Sequence, residues 1–143
     1  MQTDKLYELA EKNGIMVEGH PLPQTQAVTI KLGENYFVAI DTAVLCSPAG
    51  ERVCLAHELG HCQTASVYSQ NDDIKTRGKN ERKAEIWAIK KLVPFKELKD
   101  VIIKTGTDDL AVLSEHFSVT PEFMYKALLY YQEQKENNIK TPK

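Results

Sequence analysis

The sequence predicts a single, mostly helical α+β domain, with a small β-hairpin against a helical core and a helical pair at the C-terminal end. Three observations predict it. The chain has 143 residues, the length of one domain at roughly 150 residues each, and needs no disulfide or metal merely to fold. A turn flanked by β-branched and aromatic runs occurs once, near residue 33. Helix caps and stops recur along most of the remainder. The domain is expected over 1–136, with a core at about 27–94, a C-terminal helical segment at about 108–136, and a disordered tail at 137–143.

Taken in order, Thr3 or Asp4 caps a first helix that ends near Lys12, before Asn13-Gly14. Leu6, Leu9 and Ala10 form its apolar stripe. After the proline-bounded segment Gly19 to Pro23, the run Val28-Thr29-Ile30 and the run Tyr36 to Ile40 flank Gly33-Glu34-Asn35, a hairpin pattern. Ser47 before Pro48 reads as a cap and first-turn proline for a long helix through about Thr64. A polar loop is expected from Ser66 to Lys79, with Asn71-Asp72-Asp73 and Arg77-Gly78 as breakers. Asn80 then caps a helix to about Leu92, stopped by Pro94. Helices at 95–104, 109–117 and 121–136 complete the chain, the last opened by Thr120 before Pro121.

Composition narrows the function. With 42% apolar and 27% charged residues and a formal net charge of −2, the chain resembles an ordinary globular protein and has no global attraction for nucleic acid. Its longest apolar runs, Tyr36 to Ile40 and Ala127 to Tyr131, fall far short of the ~20 residues that cross a bilayer. Asp4 and Glu8 stand where a signal peptide is apolar. Three cysteines, Cys46, Cys54 and Cys62, make an odd count that fits reduced thiols in a cytoplasm.

The chemistry is concentrated in His57-Glu58-Leu59-Gly60-His61. At 100° per residue the two histidines lie about 40° apart on one helical face, so both imidazoles can reach one metal ion. With four His and 13 Glu in the chain, chance composition gives roughly 0.01 such patterns. Leu59, with Leu55 and Cys62, turns toward a core. Gly60 costs about 1 kcal/mol in mid-helix against alanine, so something requires the missing side chain. A catalytic zinc takes three protein ligands and leaves one position open. On the helix after Asn80, Glu81, Ala84, Glu85, Ala88 and Leu92 share about 100° of arc, so a carboxylate can be delivered where small residues let two helices meet. Cys54 lies near the histidine face, so a structural Cys54-His57-His61 zinc site, in a non-catalytic binding module, is a competing arrangement.

The stretch Leu55-Ala56-His57-Glu58-Leu59-Gly60-His61, then Glu81-Arg82-Lys83-Ala84-Glu85-Ile86-Trp87-Ala88, then Leu92-Val93-Pro94, resembles the ImmA/IrrE family of anti-repressor metallopeptidases. The resemblance covers about residues 36–94, and 110–128 more loosely. It implies a zincin-like fold in which His57 and His61 bind zinc, Glu81 is the third ligand and Glu58 is the general base. Glu85 stands where the family usually has Asn or Asp, which makes it an outer-shell group or an alternative ligand. The implied reaction is peptide hydrolysis by zinc-activated water, with Glu58 moving the proton. Tyr68 is the candidate to stabilise the oxyanion, and His20 a weaker one. The implied substrate is a helix-turn-helix repressor of a mobile element or stress response, on a separate chain. A module that titrates a repressor without cutting it, or a toxin-antitoxin component, is the alternative.

The C-terminal region has a helix-turn-helix rhythm, with Leu110, Leu113, Phe117, Val119, Met124 and Leu128 as its buried side. From Asp108 to Gln134, however, it carries five acids and only Lys126 as a base. Phosphate binding needs the opposite sign, so direct nucleic-acid contact is not expected. Bases gather instead at Lys75, Arg77, Lys79, Arg82, Lys83, Lys90 and Lys91, either as a solvated face or as a docking surface for an acidic partner.

Overall fold

The computed structural model describes residues 2–45, 47–69 and 71–140. Helix α1 (Thr3–Lys12) leads into β1 (Ile15–Gly19), β2 (Ala27–Leu32) and β3 (Asn35–Ile40). A single helical turn, α2 (Thr42–Leu45), precedes the long α3 (Pro48–Gln63) and α4 (Ile74–Leu92). Helices α5 (Phe95–Thr105), α6 (Leu110–Phe117) and α7 (Pro121–Lys140) follow. The fold is therefore the mostly helical α+β arrangement with a small sheet.

The first helix is capped differently from expectation. Gln2 occupies the cap position without a side-chain bond, so neither Thr3 nor Asp4 caps it. At its far end Asn13 Nδ2 donates to the Leu9 carbonyl at 2.7 Å, and Gly14 turns the chain at φ 70°. Leu6 and Ala10 are buried, and Leu9 is half-buried.

The hairpin forms around Gly33, whose φ of 63° a side chain would resist. Leu32 pairs with Asn35, and the antiparallel ladder runs to Ala27 opposite Ile40. The sheet has a third strand that sequence did not predict. β1 pairs in parallel with β3, Ile15 opposite Tyr36, giving the order β1-β3-β2. Five residues with no apolar alternation carry no strand pattern of their own. Backbone bonds to β3 create this strand.

α3 is the central element. Ser47 Oγ accepts from Gly50 N–H at 3.0 Å, and Pro48 occupies the first turn. Leu55, Ala56 and Leu59 are fully buried, and the helix packs most extensively on α4 and also meets β2, α1 and β3.

α4 begins earlier than predicted. Asp73, not Asn80, is its cap, with Oδ1 accepting from Thr76 N–H at 2.6 Å. The expected breaker Gly78 is helical, and a side chain there would meet nothing within 4 Å. The polar loop therefore ends at Asp73 rather than Lys79.

The C-terminal helices match their expected starts. Asp109 caps α6, and Thr120 Oγ1 accepts from Phe123 N–H at 3.2 Å to open α7. Leu113, Phe117, Val119 and Met124 are buried, while Leu110 and Leu128 are half-buried. Tyr131 donates to the Val93 carbonyl at 2.7 Å, tying α7 to the end of α4. The helix continues to Lys140 where a disordered tail was expected from Asn137, and 141–143 lie outside the described residues. Among the described residues no helix is long and apolar enough to cross a membrane.

Candidate metal centre

The centre depends on how closely α3 and α4 approach. A Cβ on Gly60 would stand 2.5 Å from the Ala84 carbonyl oxygen and 3.0 Å from its Cα. The two backbones thus touch where small residues, Gly60 and Ala84, face each other, and Ala84 and Ala88 are fully buried. Close packing between the helices outweighs the helical cost of glycine. One consequence is geometric. Glu81, one turn before Ala84, is carried up to the histidines of α3.

His57 Nε2 lies 2.7 Å from Glu81 Oε2, and His61 Nε2 lies 3.0 Å from Glu81 Oε1. The ligand atoms of His57, His61 and Glu81 all fall within 4.8 Å of one another. Among the described residues this is the group of His, Cys, Asp and Glu side chains placed to hold a metal ion.

The loop after α3 fixes the inner histidine. Ala65 adopts a left-handed conformation, φ 51°, which costs a non-glycine residue about 1 kcal/mol. That turn brings Ser66 back onto His61. Ser66 N–H donates to the His61 carbonyl at 2.9 Å, and the Ser66 carbonyl accepts from His61 Nδ1 at 3.0 Å. Thr64 Oγ1 donates to the Gly60 carbonyl at 2.8 Å and lies 2.6 Å from Ser66 Oγ. His61 and Ser66 are both buried.

These bonds test whether a metal fits. With its proton on Nδ1 committed to Ser66, a neutral His61 ring presents a lone pair on Nε2. That lone pair faces an anionic oxygen at 3.0 Å. Two acceptors cannot bond to each other, so the geometry calls for a cation between them, whether a proton or a metal ion. The electrostatics of the metal-free groups agree. Burial pulls His61 down, but the Glu81 bond and the Ser66 carbonyl outweigh it and raise the ring's pKa. Bonds from His57, then His61 and Tyr68, hold the Glu81 carboxyl far below the usual carboxylate range against its burial.

Glu58 lies beside this group on the wall of the same groove, and Thr29 of β2 donates a short hydrogen bond to its Oε2. Tyr68 donates to Glu81 Oε1 at 2.8 Å and stacks edge-on against His61. Burial, then the Glu81 bond, raises the pKa of its phenol. His57, Glu58 and Glu81 stand at the junction of two open depressions. One, about 900 Å³, extends past Val53 toward Phe123 and Lys126 of α7. The other, about 420 Å³, extends past Tyr68 to Arg77.

The remaining candidates fall elsewhere. Glu85 turns to Lys126 at 3.1 Å and Arg82 at 3.5 Å, outside the His-His-Glu group. His20 pairs with Glu18 at 3.0 Å in an exposed position and does not line either depression. Cys54 lines the larger depression but stands outside the metal group, and burial, then Glu58 and Glu51, pushes its thiol up to about 12. Cys62 faces the core, its thiol likewise pushed up to about 12 by burial and Glu58. Cys46 lies outside the described residues. Sequence reasoning missed Thr29 and Ser66. The only available signal for Thr29 was its place between Val28 and Ile30, on the opposite face of a strand.

A His-His-Glu group placed for a metal ion, in a groove on a helical α+β scaffold, defines a metallopeptidase-like centre. The model of the peptidase M78 family, the IrrE N-terminal-like domain, matches residues 10–129, and the chain belongs to this family. Comparison with curated proteins gave no match.

Proposed function

We propose that the protein is a cytoplasmic zinc endopeptidase that cleaves a helix-turn-helix repressor of a mobile element or stress response. The observation that carries the hydrolytic reading is the convergence of His57, His61 and Glu81, with Glu58 beside them on the same groove. The repressor is the partner that the anti-repressor resemblance implies. His57, His61 and Glu81 would hold zinc, which when bound supplies the Lewis acidity that makes water a nucleophile near neutral pH.

The chain's own residues divide the other tasks. Thr29 occupies one Glu58 oxygen and fixes the side chain, leaving the other oxygen to accept a proton from water and pass it to the leaving amine. Ser66 orients His61, and Tyr68 steadies Glu81. For Tyr68 to donate to an oxyanion it would have to release Glu81, so its first role is positioning. Among the described residues β2 pairs only with β3, and Ala27 at its start, with Thr25 and Gln26 before it, borders the groove. Its free edge can offer backbone bonds to an extended segment of substrate.

Glu58→Gln keeps the size of the side chain and removes the base. The variant should retain about one zinc per chain and bind the repressor while proteolysis falls by about 10²-fold or more. Metal analysis, repressor pull-down and cleavage on gels measure the three quantities. A variant that cuts as well as the parent ends the mechanism. One that relieves repression in cells without cutting makes the protein a titrating module.

A further inference from the structure

Arg77 sits on α4 one turn before Glu81 and lines the smaller depression with Tyr68, His57, Glu58 and His61. Its Nε is buried and without a hydrogen-bond partner, and among the described residues no carboxylate lies within ion-pair distance of its guanidinium. That isolation is unexpected, because acids flank it four residues away on each side, where ion pairs ordinarily form. Both are engaged elsewhere. Asp73 caps α4 through Thr76, and Glu81 gives its two oxygens to His57, His61 and Tyr68. Arg77 thus lines the groove with no carboxylate in contact with its guanidinium among the described residues.

We propose that Arg77 is a specificity residue that binds the carboxylate of an Asp or Glu side chain in the bound peptide, within about two residues of the bond that is cut. The inference rests on the peptidase reading of the same groove. A guanidinium presents a planar fork of donors that matches a carboxylate in two parallel bonds, and a partly desolvated charge gains more from an anion than from a neutral carbonyl. Lys75 and Lys79, exposed on the same stretch of α4, extend the positive field beyond the groove. An acidic segment of substrate would be drawn to this end and held by Arg77.

The test uses binding rather than turnover. Full-length Glu58→Gln protein loaded with zinc is immobilised and panned against random heptapeptides fused at their C-termini to the carrier, which offer side-chain carboxylates but no free terminal one. Acids should be enriched at least about threefold at one position. Adding Arg77→Gln should abolish the preference, Arg77→Lys should keep part of it, and Arg77→Glu should turn it toward Lys and Arg. Circular dichroism checks that each bait is folded, and Arg77→Lys with Arg77→Glu decide the matter if the glutamine variant is not. No acid preference in the Arg77 bait, the same preference after Arg77→Gln, or no peptide recovered overturns the proposal. Cleavage of repressor by the parent and not by Glu58→Gln would still uphold the peptidase reading in each of those cases. Acid selection by Arg77 without any cleavage would reject that reading instead and keep Arg77 as a binding residue.

Discussion

Glu81 and Glu85 stand one turn apart on α4 and point within about 40° of each other, yet they belong to different parts of the molecule. Glu81 meets the histidines of α3 and the Tyr68 hydroxyl. Glu85 meets Lys126 of α7 and Arg82. The helix sets only the direction of each carboxylate. What it becomes depends on the element packed against that turn, the imidazoles of α3 in one case and the Lys126 ammonium of α7 in the other. A lone pair can be shared with a metal ion, whereas an ammonium leaves no room for one.

The largest effect should come from removing each charge in turn. Glu81→Gln is expected to lower zinc affinity by about 100-fold or more, and Glu85→Gln by less than about threefold, measured by competition with a chromogenic chelator. Equal losses would mean that the two acids act as a pair.

The contact that delivers Glu81 can be strained without touching either acid. Gly60→Ala places a methyl against the Ala84 backbone, so a loss of about 1–3 kcal/mol in urea unfolding is expected, with weaker zinc retention. Gly78→Ala, on the same helix pair but in open space, should instead gain up to about 1 kcal/mol. A Gly60→Ala protein as stable as the parent would show that α3 and α4 can separate freely.

The smallest effect is in acid. Bonds from His57, His61 and Tyr68 depress the folded pKa of Glu81, so its contribution to the metal-free protein is present above the ordinary value of 4.5 and disappears as pH falls through the lower folded value. Glu81→Gln should therefore flatten the decline in melting temperature below pH 4.5, where Glu85→Gln serves as the comparison. Parallel curves for parent and Glu81→Gln would show that Glu81 is not held in this way.

What could be read from sequence follows the range of the interaction. Helical periodicity put His57 and His61 on one face, and small residues at Gly60, Ala84 and Ala88 foretold a close crossing. The hairpin was visible because Gly33 and its flanking runs are local. β1 was not, since its partner Tyr36 to Ile40 lies some twenty residues away and its own pattern is short. Arg77-Gly78 looked like a breaker because glycine propensity is a weak prior, and the Asp73 cap overrode it. Ser66 contributes a main-chain carbonyl to His61, an atom every residue possesses, so nothing in the residue's identity announces it. Thr29 reaches Glu58 only once the sheet has folded over α3.

The meeting of Gly60 and Ala84 also bears on how such a protein can diversify. Because the two helices are registered by main chain against main chain, the spacing of the His-His-Glu group is inherited from backbone and is largely indifferent to the side chains that line the groove. Val53, Phe123 and Lys126 at one end and Arg77 at the other can then be exchanged as a partner drifts, with little correction required at the centre. The converse is a narrow neutral path at residue 60 itself, where even one added carbon requires a helix to move. Variation in such a lineage should accumulate at the ends of the groove and be nearly absent at the crossing.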